Sequence, residues 1–209
     1  MDPSVFALSI VVLLFSVIVH EVMHGLAALY FGDTTAQRAG RLTLNPIPHI
    51  DPIGTILLPA LLIISGSPVL FGWAKPVPVN PFNFRDIKKG ELWVSSAGII
   101  SNLILALFAA LSFHLFSNFA SIQALLVLQF AVNINLILAI FNLLPIPPLD
   151  GSKILSTLLP PRLAAKYQSL ERYGLFILLI LWFVPFGRTT LLGYILGSVL
   201  SIFHQILGV

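Results

Sequence analysis

The chain alternates long apolar runs with short polar, proline-rich connections, and that pattern predicts an all-α polytopic membrane protein. The first run, Phe6 to Phe31, is about 26 residues, and a bilayer crossing takes about 20. Gly32-Asp33 ends it, and a polar stretch follows from Thr34 to Pro52. Within that stretch Arg41-Leu42-Thr43-Leu44 alternates as a short strand does while the prolines bar a helix, so a loop or small β-like hairpin at the membrane surface is expected. The next run, Ile53 to Phe71, is short and interrupted by Gly54, Pro59, Gly66 and Pro68, which predicts a short span or a re-entrant segment. After a turn-rich loop from Gly72 to Glu91, the runs Leu92 to Phe116 and Ile122 to Leu144 read as a helical hairpin. Three prolines in Pro145-Ile146-Pro147-Pro148-Leu149-Asp150-Gly151 break the second run. A basic, partly amphipathic connector reaches Arg172, and two short runs, Tyr173 to Phe183 and Leu191 to Leu207, close the chain. Five full transmembrane helices are therefore expected, with the re-entrant or short segment and the hairpin, in a single domain spanning 1–209.

Composition agrees with this pattern. Hydrophobic residues make up 57% of the chain and charged residues 9%, where a soluble domain carries about a quarter charged. The net charge of +3 comes from loop residues. That suits orientation in a bilayer better than nucleic-acid binding, for which there is no aromatic-basic stripe. The chain has no cysteine, which excludes disulfides, thiolate metal sites and a Cys nucleophile. Any metal must be held by His and carboxylate. The N-terminus lacks the basic region of a signal peptide, its only early charge being Asp2, and reads as a retained membrane helix.

Orientation follows from the basic residues. If Ile53 to Phe71 crosses fully, Arg38, Arg41 and Arg188 lie opposite the other eight. If it dips in and returns, only Arg188 lies opposite. The positive-inside rule prefers the second arrangement, with the N-terminus outside and the C-terminus cytoplasmic.

The chemistry begins in the first run. His20-Glu21-Val22-Met23-His24 is H-E-x-x-H, and on a helix the spacing i, i+4 sets both imidazoles on one face, able to bind one Zn²⁺ beside a carboxylate suited to act as a base. An ionisable side chain at the centre of a membrane helix costs about 2.5 to 3.5 kcal/mol on insertion scales, which argues against a chance match. A catalytic zinc takes a third protein ligand. His49 and Asp51 sit in a surface turn that they are suited to stabilise, and His114 and His204 are lone histidines near helix ends. Asp150, between proline-broken backbone and Gly151, is the best candidate, since irregular backbone at membrane depth is tolerated where it lines a cavity. In the re-entrant arrangement His20, His24 and Asp150 approach the same face.

These two motifs, with Phe141-Asn142-Leu143-Leu144 before the second, resemble the site-2 protease family of intramembrane zinc metalloproteases. Gly40-Arg41-Leu42-Thr43-Leu44-Asn45-Pro46 and Gly72-Trp73-Ala74-Lys75-Pro76-Val77-Pro78-Val79-Asn80-Pro81 are similar to its compact prokaryotic branch, without PDZ or CBS modules. The resemblance implies that His20, His24 and Asp150 ligate one zinc, that Glu21 is the catalytic base, and that Asn142 helps bind the substrate backbone. Gly98-Ile99-Ile100-Ser101-Asn102 matches the family's G-x-x-x-N, with Ile99 where proline is frequent. On the residues alone, Asn102 and Asn135 read as interhelical glue. The expected activity is hydrolysis of peptide bonds in or next to transmembrane segments, with membrane-spanning proteins as substrates, the lipid bilayer as surroundings and no nucleic-acid partner. The expected location is the prokaryotic inner membrane with the site toward the cytoplasm. Broken helices with buried polar groups also suit a metal-binding protein or transporter, and an inactive protease-like binding protein is a third reading.

Overall fold

A computed structural model describes residues 2–66 and 72–208. Helix α1, Pro3–Tyr30, starts where Asp2 caps it by accepting the Ser4 amide, and it stops at Gly32, whose φ of 107° is left-handed. A four-residue turn of helix, α2, Thr35–Arg38, follows. The segment after it holds a π-helical turn, Pro52–Leu57, running into α3, Leu58–Ile64. Helix α4, Ile87–Phe116, begins earlier than the apolar run because Asp86 caps the charged Ile87-Lys88-Lys89 turn by accepting the Lys89 amide. Helix α5, Ile122–Leu143, packs against α4 and both pack on α1. Three short helices follow: α6, Asp150–Leu158; α7, Pro161–Gln168; and α8, Gly174–Phe183. A two-stranded hairpin, β1 Pro185–Phe186 and β2 Thr189–Thr190, turns the chain into α9, Leu191–Leu207.

Small side chains bring the main helices together. Ala106, Ala109 and Ala110 of α4 face Val132, Leu136 and Ile140 of α5, and Leu196, Val199, Leu200 and Phe203 of α9 cover the seam. Lipid offers no hydrophobic gradient between helices, so such close backbone approach is what packing in a bilayer rests on. Among the described residues α1, α4 and α5, of 28, 30 and 22 residues, are long and apolar enough to cross a membrane.

Three expectations need correction. Arg41 to Leu44 forms no strand: the Arg41 amide donates to Ala36 O, its guanidinium to Lys75 O, and His49 donates to the Thr43 carbonyl, so the backbone is held as bends without a strand partner. The hairpin lies instead at Pro185–Thr190, where Gly187 takes the left-handed φ of 62° that the turn requires. Second, where five membrane-length helices are expected, three among the described residues have that length and apolarity. α8 has 10 residues, about 15 Å of helix, starts against Pro147 O and ends where Val184 O accepts the Leu191 amide. α9, at 17 residues, sits at the lower limit of about 17 for a span. Third, the end of α9 does not return to the site's face. Ile195 lies beside Leu144 and Pro145 at the end of α5, whereas the Leu207 carbonyl accepts from His114 at the far end of α4.

The flanks of the Ile53–Phe71 run meet. Trp73 N donates to Gly54 O at 3.1 Å, Thr55 Oγ1 to Trp73 O at 2.7 Å, and Lys75 N to His49 O at 2.9 Å. Chain entering and leaving this segment therefore shares one face; its last part, 67–71, lies outside the described residues. The same face gathers the end of α1 and the start of α4, where Arg85 N donates to Phe31 O. There the fully buried Asp33 fastens the loop: burial pushes its carboxyl up, but donors from Asn80 N, Asn83 Nδ2 and Thr35 outweigh this and hold it below the ordinary carboxylate range.

A depressed pKa stabilises the fold above the unfolded carboxylate value near 3.9 and the contribution is lost as pH falls through the folded value. Asp33→Asn should lower the melting temperature at pH 7, and the gap to wild type should shrink toward pH 3; a gap independent of pH would contradict this. Cysteines at the exposed Asn45, Lys88 and Arg188 should label from one face of the membrane and one at Asn118 from the other. Labelling of Asn45 and Lys88 from opposite faces would overturn the shared mouth.

Candidate metal centre

Helix α1 supplies two imidazoles from one face, and the Pro145–Leu149 break delivers a carboxylate to meet them. Asp150 opens α6, and α6 can seat against the end of α5 because residue 151 is glycine: a Cβ there would stand 2.1 Å from Leu143 O. His20 Nε2 and His24 Nε2 lie 3.2 and 3.1 Å from Asp150 Oδ2 and 3.0 Å from each other. All three residues are buried. Among the described residues this is the one group of three or more His, Cys, Asp or Glu placed to hold a metal.

The tautomers can be derived. Asn135 Nδ2 donates to the Ala131 carbonyl, which only accepts, so Asn135 Oδ1 faces Asn102 Nδ2 at 2.9 Å. Asn102 Oδ1 is then left to accept from His20 Nδ1 at 2.6 Å. His24 Nδ1 must likewise donate, since its partner at 2.7 Å is the Val94 carbonyl. Both Nδ1 atoms carry a proton, so in a neutral ring Nε2 holds the lone pair, and both Nε2 atoms face the buried Asp150 Oδ2. In the neutral rings two Nε2 lone pairs and a carboxylate oxygen converge on one point, a donor set suited to a cation. Tetrahedral zinc with ligands at 2.0–2.1 Å sets neighbouring donors about 3.3 Å apart, close to the spacing found. The residues fit zinc.

The fit requires Gly98. A Cβ at that position of α4 would lie 2.5 Å from His20 Cε1 and 2.6 Å from His24 Nε2, so any side chain there would push the imidazoles away. Gly98 and Asn102 are one turn apart on the same face. Asn102 is thus more than glue between α4 and α5: it fixes which nitrogen His20 presents. Its signal lay in the Gly98-to-Asn102 spacing, which sets a gap and an amide together. Val94 and Val77 act through backbone atoms and had no readable signal.

Glu21 projects beside the ligands into a cavity of about 550 Å³, which His20, Asn142, Asp150, Val77 and Tyr167 also line. Its Oε2 accepts the Val77 amide at 2.8 Å. Asn142 spends one N–H on the Leu138 carbonyl of its own helix, keeping Oδ1 for another partner. The other candidates lie elsewhere. Asp51 caps Pro52–Leu57 through the Ile53 and Gly54 amides, His49 serves Thr43, and His114 and His204 bond Leu207 O and Asn133 Oδ1.

The model of a family described as Peptidase family M50 matches residues 113–184, which include Asn142 and Asp150 and not the H-E-x-x-H. The chain is 41% identical over 189 residues to "Putative zinc metalloprotease YwhC" of Bacillus subtilis (strain 168), covering 87% of this chain and 83% of that protein. It is 34% identical over 202 residues to "Putative zinc metalloprotease Rip2" of Mycobacterium tuberculosis (strain ATCC 25618 / H37Rv), covering 96% of this chain and 74% of that protein. The Rip2 protein of Mycolicibacterium smegmatis is 30% identical over 182 residues, covering 87% and 69%. No solved structure matches the chain.

Asn102→Leu should weaken zinc binding about 10- to 100-fold, the usual cost of losing a ligand's orienting partner, measured by competition with a chelator. Zinc affinity equal to wild type would remove Asn102 from this role.

Proposed function

Since the chain belongs to peptidase family M50, the site-2 protease family of zinc metalloproteases, we propose that it hydrolyses peptide bonds within or beside the transmembrane segments of membrane proteins. The observation that carries this reading is the convergence of His20, His24 and Asp150 beside Glu21 at one cavity wall, in a chain with three membrane-length apolar helices. In this reading His20, His24 and Asp150 hold the zinc. When bound, zinc polarises a carbonyl and lowers the pKa of a water to about 7.

The chain's own residues do the rest. Glu21 has one oxygen fixed by Val77 N–H, so the other is aimed into the cavity to take a proton from the attacking water and return it to the leaving amine. Asn142, on the same cavity wall, offers Oδ1 to a backbone N–H of the substrate. A substrate helix hides its amides in i to i−4 bonds and must unwind before such a contact forms.

The depth of the site supports cleavage near the cytoplasmic boundary. His20 lies ten residues before the end of α1, about 15 Å in from the face where the loops gather. With the flanks of Ile53–Phe71 meeting, the loops that carry Arg38, Arg41, Lys75, Arg85, Lys88 and Lys89 gather toward that face, while the α4–α5 turn at the other end is uncharged. The positive-inside rule assigns the basic face to the cytoplasm.

Glu21→Gln should retain zinc and lower cleavage of a single-span substrate by about 100-fold or more, the typical worth of a general base. Asp150→Ala should lose both zinc and cleavage. Equal cleavage by wild type and Glu21→Gln would reject the proteolytic reading.

A further inference from the structure

We infer that Arg41 is a positioning residue for catalysis, holding the strap that aims Glu21; this rests on the proteolytic reading above. Arg41 is 6% exposed, yet among the described residues no carboxylate lies within ion-pair distance of it. A buried guanidinium without an anion is costly to keep. Among the described residues its side chain bonds from Nη2 to the Lys75 carbonyl at 2.6 Å, and its buried Nε has no partner there. The charge is thus committed to a single backbone oxygen, where it makes a stronger bond than a neutral donor would.

That oxygen is two residues from the amide that holds Glu21. Gly72 to Asn80 has no regular secondary structure, and Pro76 and Pro78 flank Val77, so between Lys75 and Val79 only Val77 can offer a backbone N–H to a carboxylate. The strap is fixed at few points: Trp73 to Gly54, Lys75 to His49 O and to Arg41, and Asn80 N to Asp33. The Lys75 anchor is the nearest to Val77. His49 strengthens it from below by donating Nε2–H to Thr43 O, closing the Arg41 loop onto itself. The strap can press against α1 because residue 25 is glycine. A Cβ there would meet Leu42 at 2.5 Å and Val77 at 3.0 Å, so both halves of the clasp rest one turn beyond Glu21. Arg41 does not line the cavity, and it acts through Lys75 and Val77.

The test uses the zinc-loaded full chain in liposomes with a single-span substrate. Arg41→Met should lower kcat about 10- to 100-fold, the scale of a small misplacement remote from the chemistry, with KM and zinc content unchanged. Arg41→Lys should recover part of the loss, because a point charge can still reach one carbonyl. Val77→Pro, which removes the amide itself, should also lower kcat, and adding Arg41→Met to it should cost little more, since both act on one contact. Wild-type kcat in folded, zinc-loaded Arg41→Met, or a rise in KM at constant kcat, overturns the inference. So does loss of zinc or of the fold in both Arg41 variants, which would make the residue structural only. If Glu21→Gln cleaves normally, the proteolytic reading fails; if it is inactive while Arg41→Met keeps full kcat, only this inference fails.

Discussion

Two imidazole nitrogens and a carboxylate oxygen brought to one buried point are the constraint on which the rest of the molecule depends. His20 and His24 each donate Nδ1–H to an acceptor on the far side of the ring, Asn102 Oδ1 and Val94 O, which turns both Nε2 atoms to one point. Asp150 then brings a carboxylate oxygen to within 3.2 Å of both. A cation at this point would join α1 to α6, and Gly98 and Asn102 of α4 shape and orient the imidazoles that face it. The same need explains the chain of amides from Ala131 through Asn135 and Asn102, which spends buried polar groups on fixing one imidazole.

Around that centre the fold solves a packing problem and an access problem at once. Gly98 opens the space the imidazoles fill, and alanines on α4 let α5 close behind it. The proline break after α5 turns the chain so that a carboxylate enters from the loop side, where backbone can be irregular because it borders a cavity. All the connections that shape the cavity lie on one face: the end of α1, the mouth of the Ile53–Phe71 segment, the strap before α4 and the turn into α6. The opposite end is a plain helical turn. Chemistry and charge share the loop-rich end, as expected where catalytic groups are set by loops on a rigid scaffold.

Much of this was legible in the order of residues. An i, i+4 pair of histidines with an adjacent glutamate depends only on helical periodicity, and a helix across Phe6 to Phe31 is required by its apolarity. Asp150 was readable because three prolines beside an acid in an apolar chain have few other uses. What escaped has physical reasons. Asn102 looked like any asparagine between membrane helices, since its orienting role depends on which helix face meets His20. Arg41 to Leu44 alternates as strands do, but a buried guanidinium bonding Lys75 O and a histidine bonding Thr43 O took the place of a strand partner. The run Tyr173 to Phe183 is as apolar as a span, yet its helix α8 has 10 residues, and the contact of Leu207 with His114 at the far end of α4 reveals the direction in which α9 runs.

The central claim is the identity of the metal's ligands, and X-ray absorption at the zinc edge of the purified protein addresses it without any substrate. One zinc per chain is expected, with two imidazole nitrogens at about 2.0–2.1 Å and carboxylate oxygen in the same shell, the imidazole signal halving in His20→Ala wherever zinc is still retained. A protein that folds and carries no zinc, or zinc whose imidazole signal is the same after His20→Ala, would contradict it.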